Sequence, residues 1–273
     1  MENNPTPLKV ILPQWLDCYI FGHKKAKYCR SLSDMTVIDW SKSDVLAYLG
    51  TYFPRSYAEA YCLFKHYFLI NRAGWGKKTN ISVFDFGCGT GGELIGLLSV
   101  LGEELPNIAS VTINALDGNT YSLRICEDIV DEFQKRSHMR IELMPFSLTI
   151  EDLYDLNIMG DVVTDGYDIV LSFKTLCEFI TKARFGDKNA YEQFLRVFIP
   201  KIKPDGMIMI VDVTTLNKQA NEWLPRIMDR GINALSEELY IERNPGFNET
   251  FTISHSRHTE DKSKIAWRIV STK

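Results

Sequence analysis

Basic residues do not dominate this chain: 31 Lys and Arg stand against 35 Asp and Glu, for a formal net charge of −4. No global positive field draws in a nucleic-acid backbone. A local patch can still act inside an acidic protein, and the densest basic run is His23-Lys24-Lys25-Ala26-Lys27. It reads as a solvated turn or helix end, or as a phosphate or RNA contact. Cysteine is sparse: none of the six, Cys18, Cys29, Cys62, Cys88, Cys126 and Cys177, forms a CxxC pair. That excludes a disulfide scaffold and a structural zinc site, and leaves reduced, mostly buried thiols. No histidine–carboxylate cluster has metal-site spacing, so no metal is expected. No apolar run is long enough to span a bilayer. The opening Met-Glu-Asn-Asn-Pro lacks the basic start and apolar core of a secretion signal, which points to the cytoplasm. There is no Gly-x-Ser-x-Gly elbow, and no Gly-Lys-Ser/Thr closes a glycine loop, so the hydrolase-triad and P-loop readings fail.

What remains is a chain of 273 residues, 45% hydrophobic and 24% charged, enough for one large α/β domain with an appendage. Residues 8–21 are apolar but interrupted by Pro13. Residues 42–53 read as a helix opened by Ser41 or Ser43, with Pro54 ending it or starting the next. In 55–70, Tyr57, Tyr61, Phe64 and Phe68 trace one helical face. Residues 1–78 are taken as a mostly helical N-terminal extension or cap and 79–273 as the main domain. Strands are expected at 81–86, 109–116, 139–145, 167–172 and 207–213. Helices are expected at 91–102, 120–137, 150–157, 188–202 and 217–240. Such alternation predicts a largely parallel sheet covered on both faces. Residues 249–257 and 264–271, joined by a polar turn at 258–263, form an antiparallel pair at its end.

The strongest local signal is Val83-Phe-Asp-Phe-Gly-Cys-Gly-Thr-Gly-Gly-Glu93, which follows a strand and opens a helix. Gly87 and Gly89 open angles closed to other residues, and Gly91 or Gly92 lets the helix pack closely on the sheet. Exposed N–H groups at the helix start are available to a polar ligand. Asp117 ends the next strand beside this loop, where its carboxylate can accept from two ribose hydroxyls. Gly118 and Asn119 leave room for an adenine ring. The spacing also satisfies a dinucleotide fingerprint, so it does not by itself separate S-adenosylmethionine from NAD. Asp85 is the physical hint. It can accept from loop N–H groups or help hold a cationic ligand, whereas a pyrophosphate gains nothing from another nearby anion.

Residues 81–213 resemble the class I S-adenosylmethionine-dependent methyltransferases. The likeness rests on the glycine segment, then Ala115-Leu-Asp-Gly, Tyr167-Asp-Ile-Val-Leu-Ser, and Ile202-Lys-Pro-Asp-Gly-Met-Ile-Met-Ile. It implies a Rossmann-like α/β fold with an antiparallel C-terminal strand and S-adenosyl-L-methionine as cofactor. On that resemblance Asp85, Gly87, Cys88, Gly89, Thr90, Gly91, Asp117, Gly118, Phe146 and Ser172 are the cofactor-binding candidates. Pro145, Phe146 and Ser147 would lie near adenine. Arg55-Ser-Tyr-Ala-Glu-Ala-Tyr61 and Thr175-Leu-Cys-Glu-Phe179 also resemble the mitochondrial ribosomal small-subunit methyltransferase-like family, but the cysteine cluster that family often carries is absent.

Methyl transfer needs an aligned nucleophile and, for some acceptors, a base. The catalytic candidates are Glu178, His255 and Tyr57. Glu178 is a base or amine-binding carboxylate, against a surface charge. His255 has a suitable pKa on a C-terminal strand, against a structural role. Tyr57, with Tyr61, forms a lid, against an aromatic packing face. Lys174 is a candidate anion contact, Arg55 a candidate for the cofactor carboxylate, and Asp212 a candidate substrate contact. The Asn-Pro-Pro-Tyr type motif of base-amine methyltransferases is absent, which argues against exocyclic amine methylation of DNA or RNA, and no DNA partner is expected. A small-molecule acceptor is favoured over RNA. The alternatives are an RNA or ribosome-associated methyltransferase and a non-catalytic cofactor-binding assembly protein.

Overall fold

The computed structural model describes residues 9–29, 41–150, 163, 166–180, 188–218, 220–235, 237 and 239–272. Of the helix expected at 150–157, all but Ile150 lies outside them, as does Arg30. In chain order the elements are β1 (Lys9–Ile11), α1 (Gln14–Asp17), α2 (Lys42–Ile70), α3 (Arg72–Trp75), β2 (Asn80–Phe86), α4 (Gly92–Glu104), β3 (Ser110–Asp117), α5 (Thr120–Gln134) and β4 (Arg140–Ser147). There follow β5 (Tyr167–Phe173), α6 (Leu176–Ile180), α7 (Ala190–Phe198), β6 (Ile202–Val213), β7 (Leu216–Asn217), β8 (Glu222–Trp223), α8 (Leu224–Asn233), β9 (Leu239–Arg243), β10 (Glu249–His255) and β11 (His258–Thr272).

The main sheet runs β4-β3-β2-β5-β6-β11-β10-β1, with β9 pairing β11 off this path. Pairs from β4 through β6 are parallel, and β11 enters antiparallel to both β6 and β10. The mostly parallel sheet with an antiparallel C-terminal strand is therefore as expected. The chain leaves β2 toward β3 and β4, then returns to β5 on the other side. Ligand crevices form at such a reversal, above the carboxyl ends of the strands.

Alternation along the strands sends side chains to two cores. Val83, Ile169, Leu171, Met207 and Met209 join residues of α2, α4 and α5. Phe84, Phe86, Val170, Ile208 and Ile210 join those of α7 and α8. This parity places Asp85, two residues beyond Val83, on the side of α2 and α4. Those two helices touch closely: a Cβ on Gly92 would lie 2.6 Å from the Phe53 carbonyl oxygen, and one on Gly96 2.7 Å from that of Tyr57.

Four local expectations are corrected. Pro54 neither ends nor starts a helix, because α2 continues through it for 29 residues from a Ser41–Asp44 capping box. A proline inside a helix costs about 3 kcal/mol; burial of Phe53, Tyr57, Phe64 and Phe68 along the same helix offsets it. The helix at 217–240 shrinks to α8, flanked by the β7–β8 hairpin and by β9, with Pro225 in the first turn where its missing N–H costs nothing. The helix at 188–202 is α-helical over Ala190–Phe198 and tightens to a 3-10 turn at Ile199–Lys201, so that β6 begins already at Ile202. The polar run 258–263 is strand, and the turn is the two residues between His255 and His258, which are paired.

The run is polar because one member is buried in an ion pair. Asp261 takes two bonds from Arg55 of α2, at 2.9 and 2.8 Å, and one from the Tyr28 hydroxyl at 3.3 Å. Burial works to raise this carboxyl, but His255 and Arg55 outweigh it and hold it at about 2. A depressed carboxylate contributes stability that is present above its unfolded value of about 4 and is lost as pH falls through the folded one. Asp261→Ala should cost about 2 kcal/mol in urea unfolding near neutral pH, less than a fully buried pair because Arg55 stays partly wet. The gap between variant and wild type should narrow below about pH 4. An equal gap at all pH values would contradict the pairing.

Candidate functional site

The bend after β2 is stitched to the end of β3. Gly87 and Cys88 donate their N–H groups to the Leu116 carbonyl at 2.8 and 3.1 Å. Gly89 donates to Asp117 Oδ2 at 2.8 Å, and Asn119 N–H donates to Asp117 Oδ1 at 2.8 Å. Gly87, Gly89 and Gly91 all have φ between +50° and +80°, a region in which side chains are strained. Gly91 is the N-cap of α4. Burial raises the Asp117 carboxyl, while the N–H groups of Asn119 and Gly89 pull it back. A carboxylate offers about four lone-pair positions, so two acceptor positions remain beyond these bonds.

Beside the bend opens a cleft of about 620 Å³, counted out to solvent. Its wall includes Gly87, Gly89, Asp117 and Gly118 from the bend and the end of β3, and Phe173, Lys174, Thr175, Glu178 and Phe179 from the end of β5 and α6. Thr175 donates to the Gly87 carbonyl at 3.2 Å, closing the loop's far edge. Tyr48 of α2 also lines the wall, its hydroxyl 3.2 Å from where a Cβ on Gly89 would stand. Sequence reasoning missed Tyr48, because nothing in its local pattern separates it from the packing aromatics of the same helix. Burial, then Glu93, Asp117 and Glu178, push its hydroxyl well up, so it stays protonated.

Under the bend lies a second layer of charge. Asp85 is fully buried, and among the described residues no N–H or O–H group donates to either oxygen. The group it meets is the Glu93 carboxyl, in the first turn of α4. Burial raises Asp85 well above its ordinary value, with the Glu93 charge adding to it. Burial likewise pushes Glu93 up, to about 8, against Lys174 and the Asp85 contact that lower it. Lys174, at φ +57°, turns its ammonium onto the buried Glu59 carboxylate of α2 at 2.7 Å.

Of the cofactor candidates, Gly87, Gly89, Asp117 and Gly118 line the cleft. Asp85, Cys88, Thr90 and Ser172 are buried outside its wall. A Cβ on Gly91 would stand 2.6 Å from Cys126 Sγ, so this glycine serves packing against α5. Phe146 is partly buried against the second core and does not reach the cleft. Of the catalytic candidates, Glu178 alone is in the wall.

Tyr57 and His255 are corrections. Tyr57 is 2% exposed and stacks on Tyr61 between α2 and α4, so the aromatic pair is a packing face and not a lid. His255 lies under Phe21, with Tyr28 at its edge, and its Nδ1 accepts from Arg257 N–H at 3.3 Å. Arg55 is engaged by Asp261 instead of the cleft. Asp212 is engaged too: it accepts from Cys177 N–H and from the Tyr191 hydroxyl, each at 2.9 Å. Lys174 does line the cleft, but it faces Glu59. Among the described residues no helix is long and apolar enough to cross a membrane, and no three His, Cys, Asp or Glu are grouped to hold a metal ion.

The strand order, the antiparallel insertion and the glycine bend together define the Rossmann-like class I methyltransferase fold. The likeness to one solved structure, the first of the three that follow, agrees. The trans-methyltransferase CalH in complex with SAH is 12% identical, over 86% of this chain and 62% of its own, with a TM-score of 0.51. The DszA carbon methyltransferase is 14% identical over 84% of this chain and 57% of its own, with a TM-score of 0.49. Magnesium protoporphyrin IX methyltransferase (ChlM) from Synechocystis PCC 6803, with bound SAM, is 12% identical over 88% of this chain and 87% of its own, with a TM-score of 0.45. The chain thus spans less than two thirds of the length of the first two. No family model matches the chain, and no curated protein matches it in sequence. The comparisons reach the fold and no specific family within it.

A carboxyl pair that keeps protons when buried has a cost that grows with pH. The unfolded chain releases those protons above about pH 4, whereas the folded protein retains them. Stability therefore falls as pH rises from there through the folded values. Asp85→Asn should flatten this slope: its thermal midpoint, followed by circular dichroism at about pH 5 and about pH 8, should drop less than that of the wild type. Equal drops would contradict a proton-holding pair.

Proposed function

We propose that the protein is an S-adenosyl-L-methionine-dependent methyltransferase acting on a small molecule. The observation that carries this reading is the bend from Gly87 to Gly91, tied to Asp117 beside an open cleft and floored by the buried Asp85–Glu93 pair. Asp117 suits ribose hydroxyls, and the glycines leave space above the loop for an amino-acid tail. The carboxyl pair beneath the bend offers the pyrophosphate of a dinucleotide no positive partner.

The cofactor supplies an activated methyl group on a sulfonium. The chain's part is to hold the acceptor in line and move its proton. Tyr48 brings a protonated hydroxyl to the cleft wall, and the Glu178 carboxylate in the same wall would accept the acceptor's proton. Phe173 and Phe179 give the acceptor end an apolar wall that excludes water.

An RNA acceptor would call for cations at the cleft. Lys174 is engaged by Glu59, and Lys24 of the basic run is paired with Asp128. This supports a small acceptor.

Calorimetric titration should show binding of adenosylmethionine and adenosylhomocysteine and none of NAD. Asp117→Ala should weaken adenosylhomocysteine binding by at least about tenfold, the worth of one to two charge-assisted hydrogen bonds. Preferential binding of NAD, or an unchanged affinity in a folded Asp117→Ala variant, would refute the assignment.

A further inference from the structure

At the end of β5 the backbone turns sharply into the cleft wall, and Lys174 makes the turn at φ +57°. Four residues with side chains have positive φ among those described: Lys25, Lys174, Asp205 and Asn221. Of these, Lys174 alone lines the cleft. Glycine takes this conformation freely, and asparagine or aspartate at reduced cost. For lysine it is disfavoured by a factor of about ten in population, so a contact elsewhere must hold it.

The ammonium supplies that hold. It sits 2.7 Å from a carboxylate oxygen of Glu59 and 3.4 Å from the Ser56 hydroxyl, both on α2. Glu59 and Ser56 are three residues apart, share a helical face and are buried. Among the described residues neither Glu59 oxygen has a hydrogen-bond partner beyond this ionic contact. A buried pair with so few hydrogen bonds adds little stability over an apolar pair. Its effect is directional: it pulls the side chain of residue 174 onto α2.

The consequence falls one residue on. Thr175 is set against the glycine bend, its hydroxyl 3.2 Å from the carbonyl oxygens of both Gly87 and Phe173. The fit leaves no spare room: a Cβ on Gly87 would stand 2.2 Å from Thr175 Oγ1 and 2.3 Å from its Cγ2. Lys174 N–H donates to the Val211 carbonyl at 2.7 Å, which anchors the turn to the sheet. With φ at 174 returned to negative values, the chain beyond that anchor would change direction and Thr175 would leave Gly87.

We infer that Glu59 is a positioning residue for the ligand site: by holding Lys174 in the left-handed conformation it keeps Thr175 on Gly87 and so fixes the far edge of the glycine bend. Glu59 is not itself in the cleft wall. The ammonium acts through the backbone and not on the ligand. The inference rests on the methyltransferase reading only for its ligand probe, adenosylhomocysteine.

Three variants of the full chain test it, each checked for folding by circular dichroism: Glu59→Gln, Glu59→Gln with Lys174→Met, and Glu59→Gln with Lys174→Gly. Methionine keeps much of the lysine stem and the same backbone preference, whereas glycine needs no hold. One readout is amide hydrogen exchange across residues 84–93 in the ligand-free protein; the other is calorimetric affinity for adenosylhomocysteine. Glu59→Gln and the methionine double variant should exchange about tenfold faster than wild type and bind about tenfold more weakly. The glycine double variant should return to within about twofold of wild type on both. Wild-type behaviour in Glu59→Gln would overturn the inference. So would double variants that behave alike, the result expected of an ion pair that only packs α2 on the sheet. Recovery of one readout without the other would overturn it too. If Glu59→Gln does not fold, the two double variants, which carry neither charge, decide by comparison with each other. Failure of the wild type to bind adenosylhomocysteine would refute the methyltransferase reading, and the exchange measurement would still decide the role of Glu59.

Discussion

The bend between β2 and α4 is the constraint on which the rest of the site depends. Four backbone amides fix it, from Gly87, Cys88, Gly89 and Gly91, and their acceptors are the Leu116 carbonyl, the Asp117 carboxylate and the Cys88 carbonyl. Because Leu116 and Asp117 end β3, loop and strand end are one hydrogen-bonded unit. The same unit sets where α4 starts, and so where Gly92 and Gly96 meet the backbone of α2. A side chain at these glycines would disturb helix packing and cleft shape together.

Charge is distributed around this bend in two layers. The outer layer, Asp117 with Glu178 and Tyr48, faces the cleft. The inner layer, Asp85, Glu93, Glu59 and Lys174, is buried between β2, α2 and α4. Buried carboxyls of this kind lower stability, and proteins concentrate such costs at functional sites. The strained left-handed backbone of Lys174 belongs to the same arrangement, since it turns the side chain off the end of β5 and onto Glu59. The Arg55–Asp261 pair, in contrast, is a clamp between α2 and the C-terminal hairpin.

Much of this was readable in the sequence, for identifiable reasons. Strands buried on both faces are short continuous apolar runs, so Ile81–Phe86 and Tyr167–Phe173 announce themselves, and the glycines with Asp117 mark the bend between them. The parts that escaped depend on tertiary contact. Pro54 is a helix breaker by local rules, and only the apolar packing of α2 carries the helix through it. The polar run 258–263 resembles a turn until Arg55, some two hundred residues earlier, is seen to bury Asp261. His255 suits proton transfer by type, yet Phe21 covers it. Tyr48 is one tyrosine among several on α2; its position against Gly89 follows from how that helix crosses α4, which no local pattern encodes.

The central claim is that Asp117 and the glycine bend hold an adenosyl ligand. A crystal structure of the complex with adenosylhomocysteine tests it most directly. The account predicts the ribose hydroxyls within about 3 Å of the Asp117 carboxylate, at hydrogen-bond distance, with the amino-acid tail above residues 87–92. A nucleoside bound elsewhere, with Asp117 bonded only to Gly89 and Asn119, would contradict it.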